Sequence, residues 1–169
     1  VNDVSWYDAT MFANWLTSGD IHLGAYDTST ESGWGEPDAN NYTGITPHDS
    51  AAMDDLAAEH GTVWVIPTED EWYKAAYYDP ALNGGTGGYY DYPTRSNATP
   101  SNRIVNPDPG NNANFSWSTG SLLPTTLVGL FENSDSAYGT FDQGGNIEEW
   151  NEAVVGSWRG RRGGSCAPG

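Results

Sequence analysis

The densest chemistry in the sequence is Asp142-Gln143-Gly144-Gly145-Asn146-Ile147-Glu148-Glu149-Trp150, in which the carboxylates of Asp142 and Glu149 flank a pair of glycines. Glycines let a backbone turn its carbonyls inward, and calcium takes roughly six to eight oxygens that mix carboxylates with main-chain carbonyls. The spacing is not that of the EF-hand loop, so the residues alone leave two readings open: a calcium loop, or a glycine turn with solvated acids.

The other reactive residue types are sparse. His22, His48 and His60 stand far apart without metal-ligand spacing and read as solvated loop histidines. Cys166 is the lone cysteine; a single thiol can be a nucleophile or half of a soft-metal site, and here it reads as a thiol without a catalytic role. Glu69-Asp70-Glu71 looks like an acid–base cluster, yet acids in a helix's first turn are what the helix dipole favours, so it reads as capping. Arg159, Arg161 and Arg162 read as partners of neighbouring carboxylates rather than as an anion site.

The elements that must position these residues are short. Ser5 and Asp8 have capping-box spacing ahead of Ala9, Phe12, Ala13 and Leu16, which predicts an amphipathic helix from Ser5 to about Leu16, widened by Trp6 and Trp15 and closed by Gly19. Ser50 to Glu59 reads as a second helix inside a long Gly, Asp and Asn-rich stretch. Thr62 to Ile66 reads as a buried strand. Thr68 and Glu71 then open a helix with Trp72, Ala75 and Ala76 on its core face, stopped by Pro80. Residues 83–114 lack a period, Leu127 to Phe131 reads as a strand, and short strands are expected around Gly156 and Gly163-Gly164. The plan is α+β and loop-rich, a single domain over residues 1–169, with tryptophans satisfying loop carbonyls through their indole N–H groups.

Composition narrows the partners. A formal net charge of −17 repels nucleic acid and anionic lipid and favours cations, calcium above all. No apolar run is long enough to cross a bilayer. The start at Val1, without Met or signal pattern, reads as a fragment or processed product. The texture suits an extracellular or periplasmic module. Sequons at Asn41, Asn97 and Asn114 matter only where the source glycosylates.

Four motifs then stand in order along the chain: Val4-Ser5-Trp6-Tyr7-Asp8-Ala9, Ile66-Pro67-Thr68-Glu69-Asp70-Glu71-Trp72, Gly145-Asn146-Ile147-Glu148-Glu149-Trp150 and Arg162-Gly163-Gly164-Ser165. Together they resemble the formylglycine-generating enzyme (sulfatase-modifying factor) domain family, in a bacterial secreted-type branch. The resemblance implies a C-type-lectin-like formylglycine-generating-enzyme fold with bound calcium. It implies one calcium site on the Asp142 and Glu149 side chains and the Gly145 and Ile147 carbonyls. A second would use Asn114 with the carbonyls of Phe115 and Leu122, although Gly120 stands where the family has an acid.

The family's enzymes oxidise a substrate cysteine with oxygen and copper held on two cysteines beyond Gly-Gly-Ser. Here Cys166 follows Ser165 directly and Glu148 replaces the tryptophan that usually lines the site. The expectation is a calcium-stabilised, non-catalytic domain acting in ligand binding or assembly, with copper only in a catalytic full-length parent; the alternative is a fragment of such an oxidoreductase. The family pattern also implies strands beyond both ends, so the Arg159–Gly169 segment is expected to pair with another copy, a partner chain or the rest of the parent.

Overall fold

The computed structural model describes residues 3–28, 50–116, 125–156 and 158–165. They divide between two compact units, Val1–Pro67 with Glu152–Gly160 and Thr68–Asn151 with Arg161–Gly169. The architecture is helices with small two-stranded sheets and much irregular backbone, the expected α+β plan.

In the first unit, α1 (Trp6–Ser18) begins where the sequence places it. The Ser5 hydroxyl accepts the Asp8 N–H at 3.1 Å, the Asp8 carboxylate accepts the Ser5 N–H at 3.1 Å, and Gly19 closes the helix at φ 83°. The buried face differs from the apolar periodicity. Trp6, Thr10, Ala13, Asn14 and Thr17 are buried, while Phe12, Trp15 and Leu16 are exposed. The reason is polar: the Asn14 amide donates to the Ile21 and Tyr26 carbonyls at 3.1 and 2.8 Å and accepts the Tyr26 N–H at 3.1 Å, so it holds the loop after the helix against the helix. Buried amides fully paired in this way fix a chain path that aliphatic contacts alone would leave loose. The second helix, α2 (Ser50–His60), lies where the Ala-rich segment predicts it and buries Leu56.

Residues 62–66, expected as a buried strand, carry no ladder: Thr62 lies in a bend, and of the five only Ile66 is buried. Their donors go to side chains instead. Trp64 N–H reaches the Thr17 hydroxyl at 2.9 Å and Ile66 N–H the Tyr26 hydroxyl at 2.8 Å. Tyr26 in turn donates to Glu152 Oε1 at 2.6 Å. Glu152 is ion-paired to Arg159 at 3.3 Å with both side chains under a tenth exposed, and the Arg159 guanidinium lies 4.6 Å from the centre of the Trp6 ring. A buried pair satisfied from several sides is the polar heart of this unit.

In the second unit, α3 (Glu69–Tyr77) has the expected capping box: Thr68 Oγ1 accepts the Glu71 N–H at 3.2 Å and Glu71 Oε2 accepts the Thr68 N–H at 2.9 Å. Trp72 and Ala76 are its buried residues. Directly after it, β1 (Tyr78–Asp79) pairs antiparallel with β2 (Gly88–Tyr89), which lies in the stretch without a period, in the register Tyr78 to Tyr89 and Asp79 to Gly88. The ring of Tyr89 packs 5.3 Å from Tyr73 and 5.1 Å from Tyr78, tying this small hairpin to the helix.

Leu127 to Phe131, also expected as a strand, is a turn: Leu130 N–H closes on the Leu127 carbonyl at 3.1 Å and Gly129 takes φ 71°. Only Phe131 of the run is buried. Lastly, β3 (Glu149–Val155) and β4 (Trp158–Arg162) form a two-stranded sheet around Gly156, as the glycine punctuation predicts.

The loops of the second unit hang on one carboxylate. Asp108 Oδ1 accepts the Gly110 N–H at 3.0 Å and the Asn112 amide, while Oδ2 accepts the Asn133 N–H and the Ser134 hydroxyl, each at 2.9 Å. Burial works to raise its pKa, but the four hydrogen bonds to the charged form outweigh it and hold the carboxyl below the ordinary aspartate value.

Candidate metal centre

The Asp142–Glu149 loop lies wholly in the second unit. Its shape needs its glycines. Gly145 sits at φ 91°, its N–H donates to the Gly163 carbonyl at 2.6 Å, and a Cβ there would lie 2.2 Å from the Asn114 carbonyl oxygen. Asp142 and Asn146 take φ 60° and 63°, left-handed conformations that Asp and Asn tolerate better than most side chains. Asn146 is bound on two sides: its N–H meets the Asn114 carbonyl at 2.7 Å and its Oδ1 accepts the Thr126 N–H at 2.9 Å. The carbonyls of Gln143 and Ile147 both face Gly163, 3.2 and 3.5 Å from the position a Cβ would take on it.

The two acids at the ends of the loop are half-buried and feel each other. Burial raises the Glu149 pKa above its ordinary value, the indole N–H of Trp72 at 2.6 Å opposes this, and the charge of Asp142 raises it further. Asp142 Oδ2 accepts the Gly129 N–H at 2.8 Å. Both carboxylates therefore have neutral N–H donors, and the arginines nearest in sequence are committed elsewhere: Arg161 to Glu148 at 3.0 Å, Arg162 to Glu69 and Arg159 to Glu152.

The model of the sulfatase-modifying factor enzyme 1-like domain matches residues 1–168 of this sequence. The chain belongs to that family. No curated protein matches it. In this sulfatase-modifying-factor domain the third and fourth motifs meet through the Gly145–Gly163 bond, and the second joins them through Trp72 on Glu149 and Glu69 on Arg162.

The remaining sites named from the sequence are distributed as follows. Asn114 is buried beside the glycine loop, with its amide 3.3 Å from Asn146 Oδ1, so it abuts the first candidate set. The Phe115 carbonyl accepts the Asn102 amide at 3.2 Å. Leu122, Gly120, Cys166, His48 and Asn41 lie outside the described residues. His22 Nδ1 is 2.9 Å from the Thr28 hydroxyl and His60 lies 3.8 Å from Glu59, each apart from the glycine loop in sequence and unit. Among the described residues no three His, Cys, Asp or Glu side chains gather as a metal cluster. Of the acid run, Glu71 caps α3, whereas Glu69 accepts the Asn151 amide at 2.7 Å and pairs with Arg162. Sequence reasoning missed Trp72, Gly129 and Asn146 as the groups that seat the loop. Their contacts span 77, 13 and 20 residues, and no local spacing signals them.

Proposed function

We propose that this is a calcium-stabilised sulfatase-modifying-factor-like domain of C-type-lectin-like plan, working outside the cytoplasm in ligand binding or assembly rather than in catalysis. The observation that carries the calcium reading is the pairing of Asp142 with Glu149. The two acids end one glycine turn, each on a neutral N–H donor, the Asp142 charge adds to burial in raising the Glu149 pKa, and neither acid is in an ion pair with lysine or arginine among the described residues. A divalent cation offsets that repulsion.

The donor set fits a hard cation. Two carboxylates with the carbonyls of Gly145 and Ile147 are all oxygens, and a site built half from backbone needs no cluster of three acidic side chains. The assembly reading is supported by β4, which has only β3 as a strand neighbour among the described residues and so leaves an edge to which a further strand can add.

Thermal melting tests the calcium reading. A ligand at about 100 times its Kd stabilises by about 2.7 kcal/mol. For a chain of this size that raises the midpoint in calcium by roughly 5–10 °C over the chelated protein. The double variant Asp142→Asn with Glu149→Gln abolishes the difference. Equal midpoints for the native sequence in calcium and in chelator refute the reading.

A further inference from the structure

The first unit carries an apolar helix face that it does not use. Phe12, Trp15 and Leu16, at i, i+3 and i+4 on α1, are 58, 51 and 37% exposed, and the Phe12 and Trp15 rings stack at 6.0 Å and 15°. Ile21 and Leu23, in the turn that follows, are exposed as well. That turn is held in place by the Asn14 amide on the Ile21 carbonyl and by the Ser18 hydroxyl on the Leu23 carbonyl at 2.6 Å. Solvent-facing apolar stripes of this kind, with two large rings on a rigid element, are what interfaces are built from.

We propose that this face of α1 docks a basic amphipathic segment of another protein. The charge around it selects that occupant. The described residues of the unit that contains α1 hold eight acids against one arginine, and that arginine, Arg159, is buried with Glu152. The first Lys or Arg in the sequence is Lys74. Asp8 and Asp20, both exposed, border the stripe at either end. A second copy would bring an equally acidic rim against this one, and an anionic vesicle would be repelled likewise; a segment with apolar anchors and lysine or arginine flanks meets both the stripe and the rim. This rests on the binding half of the proposed function and draws on none of the calcium ligands.

A fluorescent helical leucine–lysine peptide titrated against the full chain tests it, with a leucine–glutamate peptide as control. The expected result is saturable binding of the leucine–lysine peptide alone. Trp15→Ser or Phe12→Ser weakens it at least about tenfold. It weakens again as salt rises from about 0.05 to 0.5 M, because the Debye length shrinks. Both substitutions are at exposed positions, and their melting midpoints report whether the chain still folds; Asp8→Asn with Asp20→Asn weakens the same binding without touching the apolar stripe. Undiminished binding to the Trp15→Ser and Phe12→Ser variants, no saturable binding to the native chain, or self-association through this face that the peptide does not compete with overturns the proposal. The titration gives the same answer in calcium and in chelator, so a failed calcium reading shows in the melt and a failed docking surface shows here.

Discussion

Replacing Asp108 by alanine should cost the second unit more than any other single change to its loops. The substitution strands four donors: the Gly110 and Asn133 N–H groups, the Asn112 amide and the Ser134 hydroxyl. Asn112 and Ser134 are buried residues. Each buried donor left unmade costs about 1–3 kcal/mol, while the Gly110 and Asn133 groups recover part of their loss from water. The sum is about 4 kcal/mol, which at roughly 2–4 °C per kcal/mol lowers the midpoint by about 8–16 °C. Urea unfolding of the native chain and the variant measures it directly. The pH dependence supplies an independent check. Because the folded carboxyl titrates below the ordinary aspartate value, its contribution is fully present above that value and is lost as the pH falls through the folded pKa. The native chain therefore sheds this stability only on strong acidification, and the Asp108→Ala chain has none of it to shed. A loss under about 1 kcal/mol, or the same acid dependence in both proteins, refutes the assignment of Asp108 as the loop anchor.

Three further substitutions probe the remaining anchors. Arg159→Met leaves Glu152 charged and buried beside Tyr26, at a cost of about 3–5 kcal/mol; adding Glu152→Leu recovers most of that loss in a double-mutant cycle, because the unpaired charge goes with it. Urea midpoints of the four chains decide the matter. Gly145→Ala sets a Cβ 2.2 Å from the Asn114 carbonyl at a residue with φ 91°, so it should destabilise by more than about 1–2 kcal/mol and weaken the calcium-dependent shift in melting; an unchanged melt in both conditions contradicts the tight turn.

What the sequence makes legible is what local spacing encodes. The Ser5–Asp8 and Thr68–Glu71 boxes each span three residues, and both form as expected. The glycine loop was legible because Gly144 and Gly145 break every regular alternative between two acids. The buried face of α1 was not, because apolar periodicity at Ala9, Phe12, Ala13 and Leu16 competes with a second period, the short polar residues Thr10, Asn14 and Thr17, whose value depends on carbonyls in the following loop. Leu127 to Phe131 has the composition of a strand, but Gly129 supplies a turn and its N–H is claimed by Asp142. Arg159 was legible as a partner of a carboxylate, and it pairs with Glu152, but Asp108 and Glu152 themselves escaped notice for the same reason: each acts across a fold that the residues beside it do not announce.

The ladder-free segment at residues 63–66 has one last consequence. A strand in a sheet can slide, since every rung of a ladder resembles the next, and an open ladder can recruit a foreign strand. Here the rungs are single hydroxyls: Thr17 takes the Trp64 amide and Tyr26 the Ile66 amide. A shift by one residue would forfeit both bonds. A hydroxyl, once occupied, offers no next rung to an incoming chain, and Pro67 has no amide hydrogen to extend the row. Two side chains thus give this β-rich stretch a unique register and deny its inner edge to templated aggregation.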